Sequence, residues 1–233
     1  AALGSGALNV TGNAQLDNSI ALALANDVNV SGTLTVAGNK NLSLDGVLSG
    51  NGTLNKNGLA DLTLANASNF GGILNILSGN LNTQGNNALG SAAQINLGSG
   101  ANLNLGGSLS LAALDGAGSV VVASGNSLSL GSGSFSGSLG GSGALDKIGN
   151  GSLTLAGSNS HTGATTVSGG TLLVNGSLAS SSVTVASGAT LGGSGSLGGA
   201  VTVADGASLT LRGGDTLSVG SLVLNDTSNL NAP

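Results

Sequence analysis

One imidazole and nine carboxylates are the side chains of this 233-residue sequence best suited to acid–base chemistry: His161, and Asp17, Asp27, Asp45, Asp61, Asp115, Asp146, Asp205, Asp215 and Asp226. A catalytic or metal-binding role would start at His161, because imidazole titrates near neutrality and is the commonest metal ligand. The sequence holds no second His and no Cys to complete a zinc site. Cleaving a polysaccharide would need carboxylates gathered on one face, either paired for acid and base work or joined by Arg or Lys to hold an acidic sugar. Here the Asp residues are scattered singly, mostly beside the Gly or Asn of turns. The chain is therefore read as not an enzyme, with no catalytic, cofactor-binding or metal-binding residue assigned. A polysaccharide-active enzyme stays as an alternative, since coiling of the chain could collect distant Asp residues.

Three motif-like stretches are weaker than they look. Gly140-Gly141-Ser142-Gly143-Ala144-Leu145-Asp146 approaches the calcium-binding nonapeptide of some β-helices, but its Asp falls one place late and no tandem copy follows. Gly193-Ser194-Gly195-Ser196-Leu197-Gly198 matches the dinucleotide fingerprint, yet nothing after it reads as the helix that would face a pyrophosphate. Arg212-Gly213-Gly214-Asp215 misses an integrin-type Arg-Gly-Asp by one residue.

The elements that must position these groups show a firmer pattern. Four copies of one phrase read Ile95, Leu97, Gly100, Leu103; Val120, Val122, Gly125, Leu128; Val183, Val185, Gly188, Leu191; and Val201, Val203, Gly206, Leu209. Apolar doublets at i and i+2 continue along the chain, among them Leu34 and Val36, Leu62 and Leu64, Leu153 and Leu155, and Leu222 and Leu224. Period two means strand, with alternate side chains on one face. Between the doublets lie Gly, Ser, Asn and Asp, which suit tight corners. Strands and corners this short leave no room for crossover helices, so each strand must pair with its counterpart one turn away. The expected fold is all-β, a parallel β-helix (solenoid) over residues 1–233, with about 20–25 residues per turn.

Composition agrees. The sequence has 44 Gly, two Phe and no Trp, Tyr or Met, so its apolar matter is Leu, Val, Ile and Ala, suited to a narrow core of constant cross-section. Nine Asp against three Lys and one Arg give a net charge of −5, which would repel nucleic acid. No apolar run approaches bilayer length. The sequence begins without Met and in mid-pattern, from which a segment of a longer chain is expected.

A longer duplication underlies the short one. LNKNGLADLTLANASNFGG from Leu54 aligns without gaps on LDKIGNGSLTLAGSNSHTG from Leu145, matching Lys56 to Lys147 and Phe70 to His161, so repeat copies lie near 54–105 and 145–193. His161 thus falls where the other copy carries an aromatic ring, which favours packing over a corner. Asp146 to Leu178 resembles the passenger-associated transport repeat of autotransporters, the bacterial type V secreted proteins. Lys147, Gly149, Gly151, Leu153, Leu155, Gly157, Asn159, Gly163, Thr165, Val167, Gly170 and Leu172 meet that pattern, with His161 at its usual Tyr position.

The resemblance implies a passenger built as a right-handed parallel β-helix, exported through an outer-membrane barrel that lies outside this sequence, and displayed on the bacterial surface or secreted. The function expected is structural or adhesive, through repetitive polar faces. Its partners would be copies of itself, side by side or end to end, or a host or abiotic surface, with no cofactor. An ice-binding solenoid is a further alternative, for which Thr33 and Thr35 offer a single Thr-x-Thr pair.

Overall fold

A computed structural model of the chain describes residues 3–91, 93–179, 182–211 and 215–232, and these form strands, turns and connections without any helix. The strands are short, parallel and stacked as a β-solenoid of about 11 turns among the described residues. Contacts gather the chain into two compact units, Ala1–Val121 and Val122–Pro233.

In the first unit, successive turns supply equivalent strands. Asn13–Leu16, Thr33–Val36 and Thr53–Lys56 stack in parallel, and the last pairs with the start of the long strand Ile73–Thr83. Leu22–Leu24, Leu42–Leu44 and Leu62–Leu64 form a second stack, which meets the far end of that same long strand. Leu8–Val10, Val28–Val30 and Leu48–Ser49 make a third. The second unit repeats the scheme, for example through Ala144–Lys147, Thr165–Val167 and Val183–Val185. The advance per turn ranges from 17 residues, Leu128 to Leu145, up to 22, Leu81 to Leu103. The turns thus lie at the lower edge of the expected range of about 20–25 residues, with several in the second unit shortened to 17–19.

Parallel register turns each apolar doublet into a ladder. Leu34, Leu54, Leu74, Ile95 and Leu114 stand one above the next, and all are buried. Leu153, Leu172, Leu191 and Leu209 form a matching buried ladder in the second unit. Burying each such side chain contributes about 1.5–3 kcal/mol before chain entropy is counted.

Glycine serves two distinct purposes at the corners. Gly125, Gly188 and Gly206, the glycines of three copies of the repeated phrase, have φ of 80°, 78° and 71°. Each is the third residue of a turn closed by a backbone bond, Asn126 N to Ala123 O, Ala189 N to Ala186 O and Ala207 N to Ala204 O. Positive φ at the third position is the mark of a type II turn. Gly100, in the fourth copy, lies inside the strand Gln94–Leu105 without a positive φ.

The second purpose is closeness. Gly137, Gly157, Gly176 and Gly195 stack in a column where a Cβ on each of the last three would lie 1.8–2.0 Å from the carbonyl oxygen of the glycine one turn earlier. The oxygens of Gly157 and Gly176 are held in place, because they accept from Ser177 N at 3.0 Å and Ser196 N at 2.9 Å. Gly12, Gly32, Gly52 and Gly72 form a similarly close column in the first unit, with the Cβ positions of the last three 2.0–2.2 Å from oxygen.

Replacing these two kinds of glycine separates the two effects. Gly188 has open space around a Cβ, so Gly188→Ala costs only backbone strain, about 1–2 kcal/mol. Gly157→Ala forces two turns apart and breaks their hydrogen bonds, costing about 3 kcal/mol or more. Denaturant unfolding of the two variants checks the order, and equal losses would overturn the closeness argument.

Candidate functional site

The carboxylates stay apart. Asp27 Oδ1 accepts from Val47 N at 2.8 Å, Asp61 Oδ1 from Asn80 Nδ2 at 2.7 Å, Asp146 Oδ1 from Ser168 Oγ at 2.6 Å and Asp205 Oδ1 from Thr227 N at 3.2 Å. In each case the partner lies one turn on, so these Asp residues tie neighbouring turns together. Asp45 is engaged by Ser43 within its own turn. Among the described residues no three of His, Cys, Asp or Glu gather where a metal ion could be held. Of the near-motifs, Asp146 is occupied by Ser168, and Gly193–Gly198 runs into the strand Ser196–Val203 rather than a helix. Arg212, Gly213 and Gly214 lie outside the described residues.

His161 is buried, and its Nε2 lies 2.9 Å from the hydroxyl of Thr165, itself fully buried. The other ring nitrogen, Nδ1, has no partner. Phe70, its counterpart in the duplication, is also buried. Desolvation holds the imidazole below its ordinary pKa. These features describe a packed ring rather than a base with access to substrate.

Two buried lysines are the charged groups that the composition did not point out. Lys56 and Lys147 occupy inward positions, in ladders otherwise made of apolar residues: Val36, Lys56, Ile76 in one unit and Leu130, Lys147, Val167 in the other. Lys147 Nζ donates to Ile148 O at 2.7 Å, and to Gly149 O and Gly169 O at 3.1 Å. Lys56 Nζ donates to Gly58 O and to Ser78 O. Each long side chain thus runs along the core and clasps corner carbonyls on its own turn and the next. Burial lowers both pKa values, opposed in part by Asp61 beside Lys56 and Asp146 beside Lys147. A signal was present in the sequence: each Lys stands two residues after an inward Leu, and the duplication aligns the two.

The outward positions make rows. Asn96 Nδ2 donates to Asn75 Oδ1 at 2.7 Å and Asn75 Nδ2 to Asn55 Oδ1 at 2.8 Å, an amide ladder climbing three turns. Asn102 donates to Asn80 at 2.9 Å, which donates in turn to Asp61, and Asn104 donates to Asn82 at 2.8 Å. All point their amides the same way along the first unit. In the second unit the outward rows carry hydroxyls, such as Thr166, Thr184 and Thr202 in register. The candidate functional surface is therefore distributed over the outer faces.

Residues 145–174 match the family described as Passenger-associated-transport-repeat. A parallel β-solenoid that carries this repeat fits an autotransporter passenger, and the repeat's family implies secretion by way of the outer membrane. Neither the curated proteins nor the solved structures contain a match to the chain.

The His161 geometry yields a pH test. The unfolded chain takes up a proton near pH 6.5 that the folded chain resists, so stability is level above that range and falls as the pH drops below it. His161→Phe, mimicking Phe70, is expected to fold and to lose that part of the acid dependence. Urea unfolding at about pH 7.5 and about pH 5 measures both, and an unchanged slope in the variant would overturn the assignment.

Proposed function

We propose that the chain is a surface-displayed structural and adhesive segment of an autotransporter passenger, holding partners through repeated polar rows rather than through a catalytic centre. The observation that carries this reading is the run of in-register amide ladders, Asn55–Asn75–Asn96 and Asp61–Asn80–Asn102, on the outside of a stiff parallel scaffold. Strand pairing repeats such groups about every 4.8 Å. One hydrogen bond to an exposed amide contributes little, but a second copy laid alongside meets the same spacing at every turn. The contacts then add by repetition, as in multivalent binding. A second copy of the chain is the partner that shares this spacing by construction, and it is the partner proposed. Low charge leaves little repulsion between copies, since charged residues are 6% of the sequence.

The alternatives find less support. Polysaccharide cleavage wants paired carboxylates, and Asp27, Asp61, Asp146 and Asp205 are each tied singly to a neighbouring turn. An ice-binding face wants two parallel ranks of Thr, whereas Thr166, Thr184 and Thr202 stand in single file between buried residues of their strands.

Sedimentation of the purified chain over a concentration series, with negative-stain images of the same samples, tests the reading. Association growing with concentration is expected. Asn75→Asp places a negative charge within the amide ladder and is expected to weaken association several-fold, more so at low ionic strength. A chain that remains monomeric throughout would overturn the homotypic reading.

A further inference from the structure

The outer face of the second unit has a feature that repetition does not supply. Ser152, Thr171, Thr190 and Ser208 stand in one outward column across four turns. The column beside it reads Thr154, Leu173, Gly192 and Thr210. Gly192 interrupts that second column: where its neighbours project a side chain it has none, and a Cβ there would come within 2.6 Å of Thr210 O and 3.3 Å of Leu173 Cδ2. The sheet is dented at this level.

Asp215 lines a cavity of about 530 Å³ together with Thr171, Leu173, Asn175, Thr190 and Thr210. That volume falls among small-molecule sites, about 300–1,000 Å³. Gly192 is buried although its column faces outward. The cavity is therefore a built recess, distinct from the amide ladders of the first unit.

We infer that this recess is a binding site for a neutral carbohydrate. Its wall presents the hydroxyls of Thr171, Thr190 and Thr210, each able to donate and accept, as the vicinal hydroxyls of a sugar require. Asn175 stands at one edge, its Oδ1 accepting from Ser194 N at 3.3 Å. Leu173 gives an apolar contact for the C–H face of a pyranose ring. Asp215 supplies a strong acceptor for paired sugar hydroxyls, and its charge repels uronates, sulfates and phosphates. One carboxylate binds but does not hydrolyse, because glycoside cleavage needs two. The low-charge, hydroxyl-rich wall and the absence of an aromatic platform among the lining residues set a weak affinity, in the millimolar range.

The test is saturation-transfer NMR and chemical-shift titration of the whole chain with cellobiose, maltose, lactose and chitobiose, alongside galacturonate and a sulfated disaccharide. Saturable binding of at least one neutral sugar is expected, with the acidic sugars weaker. Thr190→Val removes the central hydroxyl at nearly constant volume and is expected to weaken binding at least fivefold. Asp215→Asn is expected to narrow the gap between neutral and acidic sugars. Thr166→Val, on another strand column, is expected to leave binding unchanged. No saturable binding, preference for the acidic sugars, equal affinity in Thr190→Val, or a response to calcium in place of sugar would each overturn the inference. Sedimentation of Thr190→Val is expected to match the parent chain, so loss of sugar binding and loss of self-association are read independently.

Discussion

Every turn of this chain must sit one hydrogen-bond spacing above the last, and that constraint sets what each position can hold. Parallel pairing at about 4.8 Å places like positions over like. Inside, a residue meets its own counterpart, so Leu on Leu and Val on Val fill a core whose width never changes. Large aromatics have little place in such a core, and the sequence has two, Phe70 and Phe135, both buried. At certain corners the backbones approach so closely that only glycine fits, and the columns through Gly72 and Gly195 follow from this rather than from any need for left-handed backbone. Outside, a polar residue also meets its own kind, and Asn, with one donor and one acceptor end, can bond to itself without limit along the stack.

Polar groups inside the solenoid answer to the same geometry. Corners leave carbonyls that no neighbouring strand N–H reaches, and a buried ammonium on a long apolar stem satisfies several at once. Burying a cation is costly unless it is hydrogen-bonded, and Lys147 meets three carbonyls. The duplication holds at this level of detail. Asn159 accepts from Leu139 N and donates to Gly157 O and Ser177 O, while its counterpart Ser68 reaches the carbonyl of Leu48, the residue equivalent to Leu139. Phe70 and His161 fill equivalent places, one with an apolar ring and one with a ring that bonds Thr165.

The two units turn the same scaffold to different surfaces. Amide ladders in the first unit offer a periodic face suited to another periodic face. Hydroxyl rows in the second are broken at Gly192 by a recess suited to one discrete molecule. A solenoid tolerates such local variation because each turn contacts chiefly its neighbours, so a change at one level disturbs little beyond it.

Much of the architecture was legible in the residues. Period-two doublets such as Leu153 and Leu155 specify strands, short Gly-bearing corners specify parallel stacking, and the match of Lys56 to Lys147 and Phe70 to His161 marks equivalent places in two copies. The sequence by itself therefore determined the solenoid, its core ladders and the repeat within it, because alternation and spacing are local properties of the chain. Only the tertiary structure decided which residues meet across turns. That register depends on connection lengths, which vary from turn to turn, so Thr171, Thr190 and Thr210 share a wall and Asn55, Asn75 and Asn96 a ladder without any short-range signal. It also decided what holds Lys56 and Lys147 at the inward positions that alternation assigns them, since the carbonyls they clasp come from corners on two turns.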